Sequence, residues 1–227
     1  MNIKIIYEDN HLLVVEKPVN ILSQADETGD ADLLTLLKQD VKVRYSKPGE
    51  VFLGLVHRLD RPVGGVMVFA KTSKAASRLS EQIRTRKFKK TYLAAIHGVP
   101  ENVSNQLVDY LIKDGKTNTV RVVDKSHKEA KEAVLDYQIL DNTDDLSLAR
   151  INLHTGRPHQ IRVQFSHIGH PLYGDQKYGA DKNKAGQQIA LWSYSIVLNH
   201  PVLRTEVVFK CTPPDAFPWS VFGLDGI

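Results

Sequence analysis

Residues 57–65, HRLDRPVGG, limit what this chain can fold into more than any other stretch. They separate two apolar runs, Val51–Val56 and Val66–Ala70, each of which suits a buried strand. Pro62 fixes one backbone angle and the pair Gly64-Gly65 permits positive φ, so the spacing predicts a sharp turn between two strands. One carboxylate, Asp60, stands at the strand end just before that turn, with Arg58 and Arg61 on either side and His57 ahead of them. Neighbouring cations favour the ionised form of a carboxylate, so this is a place to hold one charged and aimed at a substrate. The plainer alternative is that Asp60 only stabilises the turn, as aspartate often does.

Composition narrows the classes around this unit. With 227 residues the chain can bury a sizeable core as one large domain or two fused halves. Its 25% charged and 42% hydrophobic residues are ordinary globular values and argue against global disorder. A net charge of +4 is compatible with a nucleic-acid partner without requiring one. The single cysteine, Cys211, excludes an internal disulfide and a cysteine-rich zinc site. Glu8, Asp9 and Asn10 interrupt the N-terminal apolar residues, so no signal-peptide core is expected. No apolar run approaches the ~20 residues that span a membrane. The expected protein is cytoplasmic.

Along the chain, Ile3–Tyr7 and Leu12–Glu16 read as strands around a turn, and Lys17-Pro18 ends the second. Residues 32–39 place Leu33, Leu36 and Leu37 at helical spacing, with a loop expected over 40–50. Residues 71–90 can begin a helix capped by Thr72 or Ser73 and carry eight Lys or Arg against one acid, Glu81. That excess exceeds the charge of the whole chain. It is either a solvated helix face or a phosphate-contacting one, with Arg84, Arg86 and Lys87 at its end. A strand is expected over 89–98, containing Tyr92. An antiparallel meander follows over Gln106–Lys113, Thr119–Val123, Glu132–Leu140 and Leu146–His154. In HTGRPHQIRVQFSHIGHPLYGDQKYG (154–179), Thr155 can cap, Pro158 suits a first helical turn and Gly169 a helix end, predicting a helix over His159–His167. Its histidines, 154, 159, 167 and 170, lack a tight metal-ligand spacing, so no metal is expected. Ile189–Leu198 and Glu206–Cys211 read as closing strands.

HRLD followed by a turn and glycine resembles the catalytic signature of the RluA-type pseudouridine synthases, and the block HTGRPHQIRVQ resembles a second signature of the same family. IIYEDNHLLVVEKPVNILSQ resembles its opening motif, in which a strand runs into Lys-Pro and a loop over the active site. The resemblance covers residues 3 to about 211. It implies an α+β fold: a mixed, mostly antiparallel bent sheet with peripheral helices and an active-site cleft between two halves. It further implies one catalytic domain over 1–227 with no S4-type RNA-binding domain. The activity implied is isomerisation of specific uridines in structured ribosomal or transfer RNA to pseudouridine, without cofactor, by a monomer. A catalytically silent RNA-binding protein on the same scaffold is the alternative. Mapped onto this chain, Asp60 is the catalytic aspartate, Tyr92 the active-site tyrosine and Arg162 the salt-bridge partner of the aspartate. Arg58, His57, Lys17, Arg84, Arg86, Lys87 and Arg157 are the expected substrate-binding residues. One departure is notable: the family usually has Thr-Ser before the last glycine, and Val63-Gly64 stands here instead.

Overall fold

The computed structural model describes residues 3–224. In chain order the elements are β1 (Ile5–Glu8), β2 (Leu12–Lys17), α1 (Leu33–Arg44), β3 (Gly54–Leu55), β4 (Gly64–Ala70), α2 (Ser73–Arg84), β5 (Lys89–His97), β6 (Ser104–Asp114), β7 (Thr119–Val123), β8 (Lys131–Asn142), β9 (Leu146–Leu153), α3 (Gln160–His167), β10 (Leu191–Asn199) and β11 (Glu206–Lys210). A short 3-10 turn, Trp219–Val221, lies in the tail. The fold is α+β, as expected, and divides into two compact units: residues 3–89 with Ser193–Cys211, and Lys90–Trp192 with residues 212–224.

In the first unit β1, β2, β4 and β10 follow one another, with β3 paired to β4 and β11 to β10. Leu12–Val15 and Val66–Ala70 are completely buried, which is why these strands read as unbroken apolar runs rather than alternating ones. The β2–β4 register sets Lys17 opposite Gly65 and so brings the end of β2 to the start of the HRLD turn's outgoing strand. Gly65 has φ +113, and a Cβ there would lie 2.2 Å from the Ser193 carbonyl oxygen, so only glycine fits. Helix α2 is capped by Thr72 as expected and buries Ala75 and Leu79.

Two expectations are corrected here. Helix α1 runs on to Arg44 through the anticipated loop, because Val41 continues the buried stripe of Leu33 and Leu37 at four-residue spacing. It ends when Ser46 turns left-handed at φ 47. Of Val51–Val56 only Gly54–Leu55 pairs: β4 has β2 on one edge and β10 on the other, which leaves β3 only the Phe69–Ala70 end.

In the second unit the order is β5-β9-β8-β6-β7, every pairing antiparallel. Alternate residues of these strands face α3, where Leu111, Val120 and Ala133 meet Val163, and the Tyr137 and Phe165 rings lie 5.3 Å apart. Helix α3 starts one residue later than expected. Its N-cap is His159 in a left-handed conformation without a side-chain cap bond. Thr155 instead accepts from the Val134 amide at 2.8 Å and donates to Gln160 Oε1 at 2.8 Å, tying the chain before the helix to β8. Gly169, φ +84, closes the helix end as its sequence position suggests.

Candidate active site

The HRLD turn is held through its backbone. The Asp60 carbonyl accepts from the Val63 amide at 3.0 Å, which closes the turn. Lys17, wholly buried, donates from Nζ to the carbonyls of Pro18 (3.0 Å), Arg61 (3.0 Å) and Val63 (2.8 Å). Burial pushes the Lys17 ammonium down to about 7, against the pull of the Asp60 charge, and Arg61 lowers it further. On the other side of Asp60, Ser23 Oγ donates to the Leu59 carbonyl at 2.7 Å and accepts from the Leu59 amide at 3.1 Å. The residues on both sides of the carboxylate are therefore fixed, by Lys17 at the end of β2 and by Ser23 in the loop after it, which limits how far Asp60 can wander. Arg61 lies outward, pairing with Asp30 at 2.7 Å.

Lys17 and His57 were expected to meet substrate; in the structure Lys17 is wholly buried and His57 half-buried. Lys17 has no surface, because its three acceptors are buried carbonyls that need its donors. His57 Nε2 accepts from the Val68 amide at 3.0 Å, which requires that nitrogen to be unprotonated, and its ring lies 5.3 Å from Phe88. Arg58 is exposed. In the basic segment, Arg84 is engaged by Glu81 through two contacts, 2.8 and 2.6 Å, whereas Arg86 and Lys87 are exposed just past the end of α2. Arg86 takes the left-handed position that ends the helix, φ 58.

In the second unit Tyr92 is buried in β5 opposite Ile151. Two residues earlier in β5, desolvation holds the Lys90 ammonium below its ordinary range. Arg162, 7% exposed on α3, is held by a carboxylate the sequence reading did not single out. Its Nε reaches Asp175 Oδ2 at 2.7 Å and its Nη2 reaches Oδ1 at 2.8 Å, a bidentate fork with a fully buried partner. Asp175 also accepts from the amides of Lys177 (3.0 Å) and Tyr178 (3.3 Å). The Tyr178 ring lies 5.2 Å from the guanidinium carbon, and its hydroxyl is anchored by His159 Nδ1 at 2.7 Å and the Val120 amide at 2.8 Å. Arg162 thus sits in a rigid frame. Arg157, ahead of the helix, donates from Nε to the Glu132 carbonyl at 2.8 Å. Among the described residues no three His, Cys, Asp or Glu side chains gather as metal ligands. His154 pairs with Asp136 at 2.6 Å and His170 with the His97 carbonyl at 2.8 Å.

A sequence profile of the family described as RNA pseudouridylate synthase matches residues 11–167, which include both motif blocks in their essentials. The chain belongs to this family of RNA-modifying enzymes. Among its relatives, ribosomal large subunit pseudouridine synthase D of Pseudomonas aeruginosa is 33% identical over 96% of this chain and 71% of its own length. An uncharacterized RNA pseudouridine synthase of Aquifex aeolicus is 32% identical over 95% of this chain and 71% of its own. Ribosomal large subunit pseudouridine synthase C of Buchnera aphidicola from Acyrthosiphon pisum, 32% identical, is matched over 66% of its length. The chain thus spans about two thirds of the length of the relatives it matches. The solved structure of human RNA pseudouridylate synthase domain containing 4 superposes with a TM-score of 0.78 and 26% identity, covering 93% of this chain and 88% of that one.

For a pseudouridylate synthase the residues the sequence reading passed over are the supporting ones. Ser23 lies in a loop with no periodic pattern. Asp175 lies in GDQKYG, inside the second signature block but thirteen residues past Arg162. The one available signal for Asp175 is that a buried arginine on an apolar helix needs a carboxylate, and few lie close by in sequence.

Proposed function

We propose that this chain isomerises specific uridines of ribosomal RNA to pseudouridine, with Asp60 as the catalytic carboxylate. The observation that supports it best is the clamping of the HRLD turn by Lys17 and Ser23. A turn aspartate that served only local structure would not need its neighbours' carbonyls held by a wholly buried ammonium. In the reaction the bond from ribose C1′ to uracil N1 breaks, the base turns, and C1′ bonds to C5. C5 loses its proton and N1 gains one, so atoms balance without a cofactor. The target uridine must first leave its stack. Asp60 acts on the sugar as a carboxylate, and Tyr92 and Arg162 complete the catalytic set. Arg58 enters the gap left in the RNA, and Arg86 and Lys87 meet phosphate. The protein acts as a cytoplasmic monomer, and transfer RNA is the second substrate class to try.

Tritium release from an unmodified large-subunit rRNA transcript labelled at uracil C5 is the test. The wild-type chain should release tritium and Asp60→Asn should not, with RNA affinity and melting temperature unchanged. Turnover by the Asn variant would remove Asp60 from the chemistry, and wild-type binding without release would leave a silent RNA-binding protein.

A further inference from the structure

We propose that a groove on the helix-facing side of β6, β7 and β8 is a separate RNA subsite, taking one phosphodiester and its nucleoside at a position other than the uridine that reacts. The inference rests on RNA being the substrate. The strand registers build the groove: Leu111 pairs with Lys131 and Lys113 with Val120. Residues 111 and 113 point to the same face of β6, so Lys113 and Lys131 project at the rim of an apolar patch in which the exposed Pro158 lies over Leu111 and Val120, themselves 3% and 4% exposed. Pro158 and Arg157, just ahead of α3, close the other side, leaving a cavity of about 440 Å³. That lies within the ~300–1,000 Å³ of small-ligand pockets.

The charge on this groove is unbalanced. Lys113, Lys131 and Arg157 face one acid, Glu129. Among the described residues none of the three cations has a carboxylate within ion-pair distance. Some other arginines of the chain are paired, Arg44 with Asp40, Arg61 with Asp30 and Arg84 with Glu81. Two further acids on the same hairpin are turned into their own bends. Asp114 accepts from the amides of Lys116 and Thr117, and Asp124 from that of Ser126. Arg157 is braced by its Nε bond to the Glu132 carbonyl, so its terminal nitrogens are presented at a fixed place. Three cations at the rim of an apolar floor, with lysines exposed to solvent, fit a polyanion whose repeating unit couples a phosphate to a flat apolar-faced base.

The experiment compares Lys113→Gln/Lys131→Gln with a control of equal charge change, Lys182→Gln/Lys184→Gln, both control lysines being exposed loop residues. The probe is an unmodified large-subunit rRNA transcript, and its affinity is titrated across several salt concentrations. Loss of the one phosphate contact should lower the salt slope of log affinity by about 0.7 and weaken binding roughly fivefold near 0.1 M salt, with the control unchanged. Transcript carrying 4-thiouridine should crosslink to the peptide containing Ile112 or Pro158. An unchanged slope, an equal change in the control, or equally effective competition by poly-glutamate would overturn the subsite, the last reassigning the groove to an acidic protein. Tritium release separates the two readings. A variant-sensitive slope without wild-type release sinks the catalytic reading and supports the groove, and release with an insensitive slope does the reverse.

Discussion

Replacing Lys17 by Met keeps an unbranched chain of similar length in the core and removes the ammonium. Three carbonyls, those of Pro18, Arg61 and Val63, then lose their donor. Leaving a buried acceptor unsatisfied costs about 1–3 kcal/mol, but the variant also avoids burying a charge, so a single stability measurement mixes two opposing effects. The pH dependence separates them. The Lys17 ammonium is pushed to about 7 in the folded chain from an ordinary 10.5. Below the folded value both folded and unfolded chains carry the proton, and the cost of the buried charge is fully present. Between the two values the unfolded chain binds more protons, so wild-type stability rises with pH, by about 1.4 kcal/mol per unit and to a ceiling of roughly 5 kcal/mol. Met does not titrate, so the difference between the two proteins isolates this one group. Urea unfolding of both at pH 6, 7, 8 and 9 should show wild type gaining about 2–3 kcal/mol on Lys17→Met between pH 7 and 9, and nothing between 6 and 7 beyond the onset. A difference that stays constant from pH 6 to 9 would refute the reasoning. The three carbonyls would then have held the lysine charged against burial. Turnover of the Met variant should fall even where it is folded, because the turn carrying Asp60 loses its clamp.

Gly65→Ala should destabilise the first unit by about 3 kcal/mol or more in urea unfolding, since a Cβ at φ +113 meets the Ser193 backbone; a neutral effect would mean that β4 and β10 can part cheaply. Arg162→Lys keeps the charge but loses the fork on Asp175, so turnover should drop by a hundredfold or more and stability by about 1–3 kcal/mol, and full activity would end the case for a planar cation at this place. Arg86→Gln/Lys87→Gln should flatten the salt slope of RNA binding by about 1.4 in titrations, whereas Arg84→Gln should change it little because Glu81 already holds that side chain; the opposite ranking would show that RNA displaces the Glu81 contact.

What the sequence made legible was whatever is local or strongly patterned. Helix α2 was readable from Thr72 and its apolar spacing, and the β6-β7-β8-β9 meander from alternation broken by turn residues. The end of α1 was not, because the buried contact of Val41 extends a helix through residues with no marked periodicity. The shortness of β3 depends on which strands occupy the edges of β4, a non-local fact. Asp60, Tyr92 and Arg162 could be singled out because they lie in recognisable blocks. The burial of Lys17 was not legible, because a lysine is nearly always at the surface and here three converging carbonyls take its donors.

Those supports also bear on Val63-Gly64, where the resemblance led one to expect Thr-Ser. A Thr-Ser pair in a tight turn offers side-chain donors and acceptors to nearby backbone. In this chain the backbone groups of the turn already have partners: the Val63 amide bonds the Asp60 carbonyl, and the Val63 and Arg61 carbonyls take the Lys17 ammonium. Leu59, on the other flank, has both its amide and its carbonyl on Ser23. Hydroxyls at 63 and 64 would therefore need acceptors of their own in a place where Val63 is 2% exposed and Gly64 is buried. An apolar side chain costs less there than an unpaired hydroxyl. The turn is thus held partly from outside its own motif, by Lys17 at the end of β2 and by Ser23, alongside the Val63 amide that closes it on the Asp60 carbonyl.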